Sequence, residues 1–232
     1  MNHIIQIKLK SVTIIENGQV DDGKGNNMLS ASLVYPTPQT QSPTTVVAMN
    51  LEDEKTLELG GIPLKEQIIY KGLIIGESGI DVEITAIEKP KKIEGILKKV
   101  FGAAAVGAVG LITGGAAVAI VTAAAKATVE SIFELATPKD KVSIIGRGFM
   151  SISENTPEGD FVVQLSVPKK VELQQSFIND EGQRAIKKVT LPKGYNNAMV
   201  VFDIRKYPIL QKQPTEYLTQ PPIALSSSNY GY

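Results

Sequence analysis

Few residues in this chain have side chains suited to catalysis, and their placement argues against the common chemistries. His3 is the sole histidine, and there is no cysteine. Ser-His-Asp and Cys-His mechanisms need an imidazole fixed by a folded core, whereas a histidine at position three reads as a solvated chain end. Zinc sites built on His or Cys fall on the same count. Glu52, Asp53 and Glu54 stand together beside Lys55. Paired carboxylates can hydrolyse glycosides, but neighbouring acids in a polar turn read as solvated. The chain also has no tryptophan on which a sugar could stack. The stretches "GGIPLKEQ" and "GESGID" lack the lysine spacing of a phosphate loop, and Gly146-Arg147-Gly148 sits in a strand context with no helix behind it. The residues therefore predict no catalytic group, no metal site, no cofactor and no enzyme.

The elements that would position any site are mostly strands. The chain of 232 residues is long enough to bury a sizeable core. "MNHIIQIKLKSVTIIE" alternates apolar and polar residues, with Ile5, Ile7 and Leu9 on one face, then Val12 and Ile14 after a slip at Ser11. It lacks the continuous apolar run of a secretory signal, so the expected location is cytoplasmic or membrane-associated. "MLSASLVYP", "TTVVAMNL", a short piece at Leu57 and Leu59, "EQIIYKGLIIG" and "IDVEITAIEKP" read as further strands. So do "KVSIIGRGFMSISE", "GDFVVQLSVPKKVELQQ", "IKKVTLP" and "NAMVVFDIRKY". Turn formers such as "ENGQVDDGKGNN" separate them. Short strands with frequent Gly and Pro turns predict an antiparallel β-sandwich in residues 1–207. Residues 208–232, rich in Pro, Gln and Ser, read as an extended or disordered tail. Lys plus Arg and Asp plus Glu number 24 each; with no basic surplus, nucleic acid is not the expected partner.

One segment departs from this pattern. Val100 to Ala125 is a run of 26 residues without a charge. Ile93, Leu97, Phe101 and Leu111, then Val118, Val121, Ala125, Val129 and Ile132, recur at helical spacing. Thr113-Gly114-Gly115 suits a turn between two halves, and Pro138 a stop. The expectation is a Gly/Ala-rich α-helical hairpin inserted at 91–136. The run exceeds the roughly 20 residues of a membrane span, yet Ala and Gly contribute little to lipid partitioning. Gly110 and Gly114 form a G-x-x-x-G, extended by Ala103 and Gly107, which suits close packing of backbones. Three uses stay open: a buried hairpin, a membrane-entering hairpin, and a face for self-association or a protein partner. For the last two, the contact residues are Ile96, Leu97, Phe101, Gly107, Gly110, Leu111, Gly114, Gly115, Ile120 and Val121. Lys91, Lys92, Lys98 and Lys99 flank the run and would favour anionic headgroups.

With the strands placed, the layout from Ile4 to Val167 resembles the calcium-dependent lipid-binding β-sandwich module of protein kinase C and synaptotagmin. Asp21 or Asp22 and Gly23 match the first acidic loop of that family, and Gly146 matches the glycine that opens a later strand. Asn26 and Ser143 stand where the family has aspartates. The resemblance implies a β-sandwich that works at lipid surfaces and places the apolar insertion at a lipid-facing loop. Calcium takes six to eight oxygens, and Asp21, Asp22, Glu88 and Asp140 are a thinned set, so tight calcium binding is not expected. Two functions follow from the sequence. The first is a membrane-associating, pore-forming or toxin-like protein acting through the hairpin. The second is a non-enzymatic structural or adaptor subunit that uses the hairpin as an oligomer or partner interface.

Overall fold

The computed structural model describes residues 3–18, 24–34, 43–60, 67–74, 76–87, 111–113, 116–124 and 142–209. Eleven strands form one antiparallel sheet, in the order β4-β1-β13-β10-β9-β6-β2-β3-β8-β7, with β5 beside β4 on the same edge of β1. Their bounds are β1 His3–Ile14, β2 Lys24–Val34, β3 Pro43–Glu52, β4 Thr56–Glu58, β5 Ile68–Gly72 and β6 Ser78–Ile87. The rest are β7 Leu111–Thr113, β8 Ala116–Ala124, β9 Val142–Ile152, β10 Gly159–Ser166 and β13 Asn196–Pro208. β11 Val171–Ile178 and β12 Arg184–Leu191 make a separate two-stranded ribbon.

The sheet curls because the chain forces it to. β3 lies towards one end of the strand order and β4 at the other, yet only Asp53-Glu54-Lys55 connects them. Three residues reach about 10 Å, so β3 and β4 must lie close together. β4 then pairs with β1 at Ser11↔Glu58, Val12↔Leu57 and Thr13↔Thr56. Glu54 N also donates to Ile14 O, and Leu59 N to Lys10 O.

The curl encloses one apolar core. Ile5, Ile7, Leu9, Val12 and Ile14 of β1 meet Val200, Phe202 and Ile204 of β13 there. Leu29, Ala31 and Leu33 of β2, Val47, Met49 and Leu51 of β3, and Val82, Ile84 and Ala86 of β6 complete it. The inward set of β1 changes parity at the register shift between Leu9 and Ser11. One extra residue at Lys10 is a β-bulge, which keeps both halves of the strand facing inward; this is the slip that the alternation shows.

Two expectations need correction. The β class and the antiparallel pairing hold, but eleven of the described strands form one curled sheet, with β11–β12 a separate ribbon, where a β-sandwich was expected. The α-helical hairpin at 91–136 is overturned where that segment is described. Leu111–Thr113 and Ala116–Ala124 are strands, with Thr113 paired to Ala116 across Gly114-Gly115. β8 adds to the edge of β3 from Pro43↔Ala124 to Met49↔Val118. The physical reason is twofold. Val118, Ile120, Val121 and Thr122 are β-branched and lose side-chain freedom in a helix, and the exposed ladder of β3 supplies backbone partners that an isolated helix would not use. The remaining residues of 91–136, and the tail from 210, lie outside the described residues. Among the described residues no helix is long and apolar enough to cross a membrane.

β9 and β10 share the single pair Ser166↔Arg147, and their backbones approach closely beside it at Gly148. A Cβ on Gly148 would stand 2.6 Å from Gln164 O, 2.6 Å from Leu165 Cδ2 and 3.0 Å from Val163 Cγ1. Backbone cannot yield as a flexible side chain does, so Gly148→Ala should destabilise the protein by about 1–3 kcal/mol. Urea denaturation would measure it, with Gly60→Ala, where a Cβ meets open space, close to neutral.

Candidate functional site

Local backbone chemistry at the end of β1 builds the best-defined polar site. Gly18 has φ +75°, a conformation that glycine adopts without strain. That turn buries Asn17, whose N–H donates to Asp53 Oδ1 at 2.7 Å and whose amide donates to Leu51 O. Asn27 of β2 donates in turn to Asn17 O at 2.9 Å. Asn197 of β13 closes the other side. Its Oδ1 accepts from Glu16 N at 3.0 Å, and its amide donates to Glu16 O and Ile145 O. Buried amides of this kind stay in place because each leaves a large penalty if it loses its partner.

The ribbon docks on this platform. Val171, Leu173 and Leu191 are buried at its base, and Leu173 packs over Gly18, near enough that a Cβ there would touch its methyl at 3.4 Å. One residue pair further out, Gln175 Nε2 donates to Glu16 Oε2 at 2.6 Å and to Asp53 Oδ2 at 3.1 Å. A single amide therefore bridges two carboxylates from different parts of the main sheet. Burial, chiefly, pushes the Asp53 carboxyl up to about 6; the Asn17 N–H opposes this, and Glu16 and Glu54 add to it. A perturbed carboxylate beside a second one is a common mark of catalysis. Here, however, both Asp53 oxygens are engaged in holding the Asn17 backbone and the ribbon. The chemistry is that of a clamp.

The outer half of the ribbon carries exposed apolar side chains. β11 and β12 pair from Val171↔Leu191 to Ile178↔Arg184. Phe177 is 47% exposed, and Ile178 and Ile186 are each 68% exposed. The turn beyond them is stiffened by Asn179. Its Oδ1 accepts from Glu181 N and Gln183 N, and its backbone pairs with Gln183 and Gly182.

The residues singled out from sequence are placed as follows. Leu111 lies in β7, opposite Val118, and Ile120 and Val121 lie in β8, opposite Val47 and Val46; they are strand positions at the sheet edge, where helix positions were expected. Ile96, Leu97, Phe101, Gly107, Gly110, Gly114, Gly115, Lys91, Lys92, Lys98 and Lys99 lie outside the described residues, as do Asp21, Asp22, Gly23, Glu88 and Asp140. Gly146 and Ser143 are on β9, paired with Ile84 and Ala86 of β6. Among the described residues no three His, Cys, Asp or Glu side chains gather to hold a metal ion. The clamp and the ribbon tip were not found from sequence. The one visible sign was the apolar-polar pattern on either side of "NDEG".

Comparison with known proteins supplies no family. No family model matches the chain, and no curated protein matches it.

The clamp has a pH signature. Asp53 holds its proton more tightly folded than unfolded, so its contribution to stability is greatest below pH 4 and is lost as pH rises through about 6. The full shift corresponds to ~3 kcal/mol, and screening at a half-exposed group reduces it to about 1 kcal/mol. Asp53→Asn should therefore flatten the decline in thermal stability between pH 4 and pH 7. A wild-type and a variant curve of the same slope would show that Asp53 does not titrate there.

Proposed function

We propose that the protein is a non-enzymatic, membrane-associating module whose contact element is the β7–β8 hairpin. The observation that supports this is the uncharged edge. From Leu111 to Ala124 the chain carries no charged residue, and this stretch forms the last two strands of the sheet. Edge strands of water-soluble sheets are ordinarily guarded by lysine, proline or a bulge. An edge hairpin of Ala, Val, Ile and Gly is suited to an apolar surface. β8 has nine residues, about the number a tilted strand needs to cross a bilayer.

Lipid sets a condition on how far such a hairpin can go. Every backbone group within the hydrocarbon must be paired, so strands cross only as closed barrels. One copy contacts the interfacial region, and crossing takes a ring of copies. Lys91, Lys92, Lys98 and Lys99 precede the hairpin and would each add about 1 kcal/mol at an anionic surface.

Vesicle flotation of the purified chain tests it, beside a variant with residues 111–124 replaced by a Gly/Ser linker and checked for folding by circular dichroism. The intact chain should float with anionic vesicles, and the variant should lose about tenfold in partitioning. Dye release by the intact chain would extend the reading to a pore. Should the intact chain stay at the bottom of the gradient with every lipid mixture, the membrane reading fails and the hairpin belongs to a protein assembly.

A further inference from the structure

The strand order leaves one connection with the length of the sheet to travel. Each step from β8 through β3, β2 and β6 to β9 is antiparallel, so β8 and β9 run parallel. Parallel strands of one sheet need a crossover, here residues 125–141. β8 ends next to the row Asp81–Ser32–Thr44–Ala123, and β9 begins opposite Ile87. Those points lie roughly 20 Å apart along the strands and roughly 19 Å apart across them. The direct path is a diagonal of roughly 28 Å, and the segment reaches about twice that when extended. The other long link has no such distance to cover. Residues 88–110 join Ile87 to Leu111, and Leu111 stands in the row Ala86–Asn27–Met49–Val118, at the same end of the sheet.

The inner face is closed to the diagonal. Leu29 and Ala31, Val47 and Met49, and Val82 and Ile84 fill it with the core cluster. On the outer face, alternation turns Met28 and Ser30 of β2, Val46 of β3 and Thr85 of β6 away from that core. Yet Val46 and Thr85 are 0% exposed, Met28 1% and Ser30 2%, and Met28 and Val46 lie outside the core cluster. A side chain on the outside of a sheet is hidden to that degree when other chain lies over it. The described neighbours of β2 are its ladder partners β3 and β6, which flank the patch and do not cover it. Met28 pairs with Thr85, and Ser30 with Val46 and with the largely buried Glu83, so the patch is continuous. It stands under the diagonal. Away from that line the outer face is open, with Val34 41% and Phe149 59% exposed.

We propose that residues 125–141 lie diagonally across the outer face of β2, β3 and β6 and bury Met28, Ser30, Val46 and Thr85. The segment has the side chains for it. Val129, Ile132, Phe133 and Leu135 supply apolar contact from its middle. Lys126, Glu130 and Glu134, with Lys139, Asp140 and Lys141 near its end, are then left to the solvent side and the rim. Val121 shares the row of Ser30 and Val46, so the outward side of β8 is covered there as well, and a partner surface meets the hairpin at its edge. The strand order requires the crossover whether or not the hairpin meets lipid.

Photo-methionine, close to methionine in size, places a diazirine at Met28 within the intact fold. Irradiation of the full chain, followed by mass spectrometry of its peptides, should find Met28 joined to residues 125–141. Accessibility gives a second measurement, since the chain has no cysteine of its own. Ser30→Cys should react with a maleimide at least about tenfold more slowly than Ser151→Cys on the exposed outside of β9. Replacing 125–141 by a Gly/Ser linker of equal length should bring Ser30→Cys to the Ser151→Cys rate, while Ala31→Cys on the core side stays protected. Should Ala31→Cys react too, the linker variant has lost its fold and the cross-link decides. The proposal is overturned if Met28 joins to residues 88–110, to the tail from 210 or to neighbouring strands and not to 125–141. It is equally overturned if Ser30→Cys reacts freely in the intact chain, or stays protected in the folded linker variant.

Discussion

Closure of the sheet through the Asp53–Lys55 turn is the constraint on which everything else rests. An antiparallel sheet of this width could lie open and twisted. The short link from β3 to β4 prevents that by tying one end of the strand order to β1 near the other. The core residues of β3 and β1 then belong to one apolar cluster. The same link places Asp53 beside the end of β1, where it accepts from the Asn17 N–H. Covalent geometry thus creates the curl, and the curl creates the polar platform.

The platform carries the next level of organisation. A two-stranded ribbon on its own is marginally stable in water, and the β11–β12 ribbon joins the main sheet through no strand ladder. Its order comes from side chains: Val171, Leu173 and Leu191 in the core cluster, and Gln175 between Glu16 and Asp53. Because Asp53 has a raised carboxyl, its charged form weighs most at neutral pH. The carboxylate then depends most on the Gln175 and Asn17 donors. The half-buried clamp sacrifices some stability of the closed sheet to fix the direction of the arm.

Local pattern made the strands of the main sheet legible. The parity change at Ser11 is visible in the residues themselves and is the bulge at Lys10. The polar turn after Leu51 and the short strand at Leu57 are equally local. What failed was everything that depends on remote partners. Ala is the best helix former, so 91–136 reads as helical unless the edge of β3 is known to be waiting. Asp53 reads as a solvated turn acid because its partners lie 36 and 122 residues away. "GDFVVQLSVPKKVELQQ" reads as one strand, although Pro168 marks where the chain leaves the sheet for the ribbon. Exposure of Ile178 and Ile186 has no signature in alternation, which is the same for a strand facing a core and a strand facing water.

The two unguarded elements differ in what can satisfy them. β7–β8 ends the strand order of the main sheet, so it offers backbone groups along an edge, and a partner must complete a ladder or exclude water from it. The outer face of the ribbon offers side chains alone, with the exposed Ile178 and Ile186 standing among the charged Glu172, Lys188 and Arg184. A lipid surface, being of one sign and isotropic in its apolar part, fits the first more closely than the second.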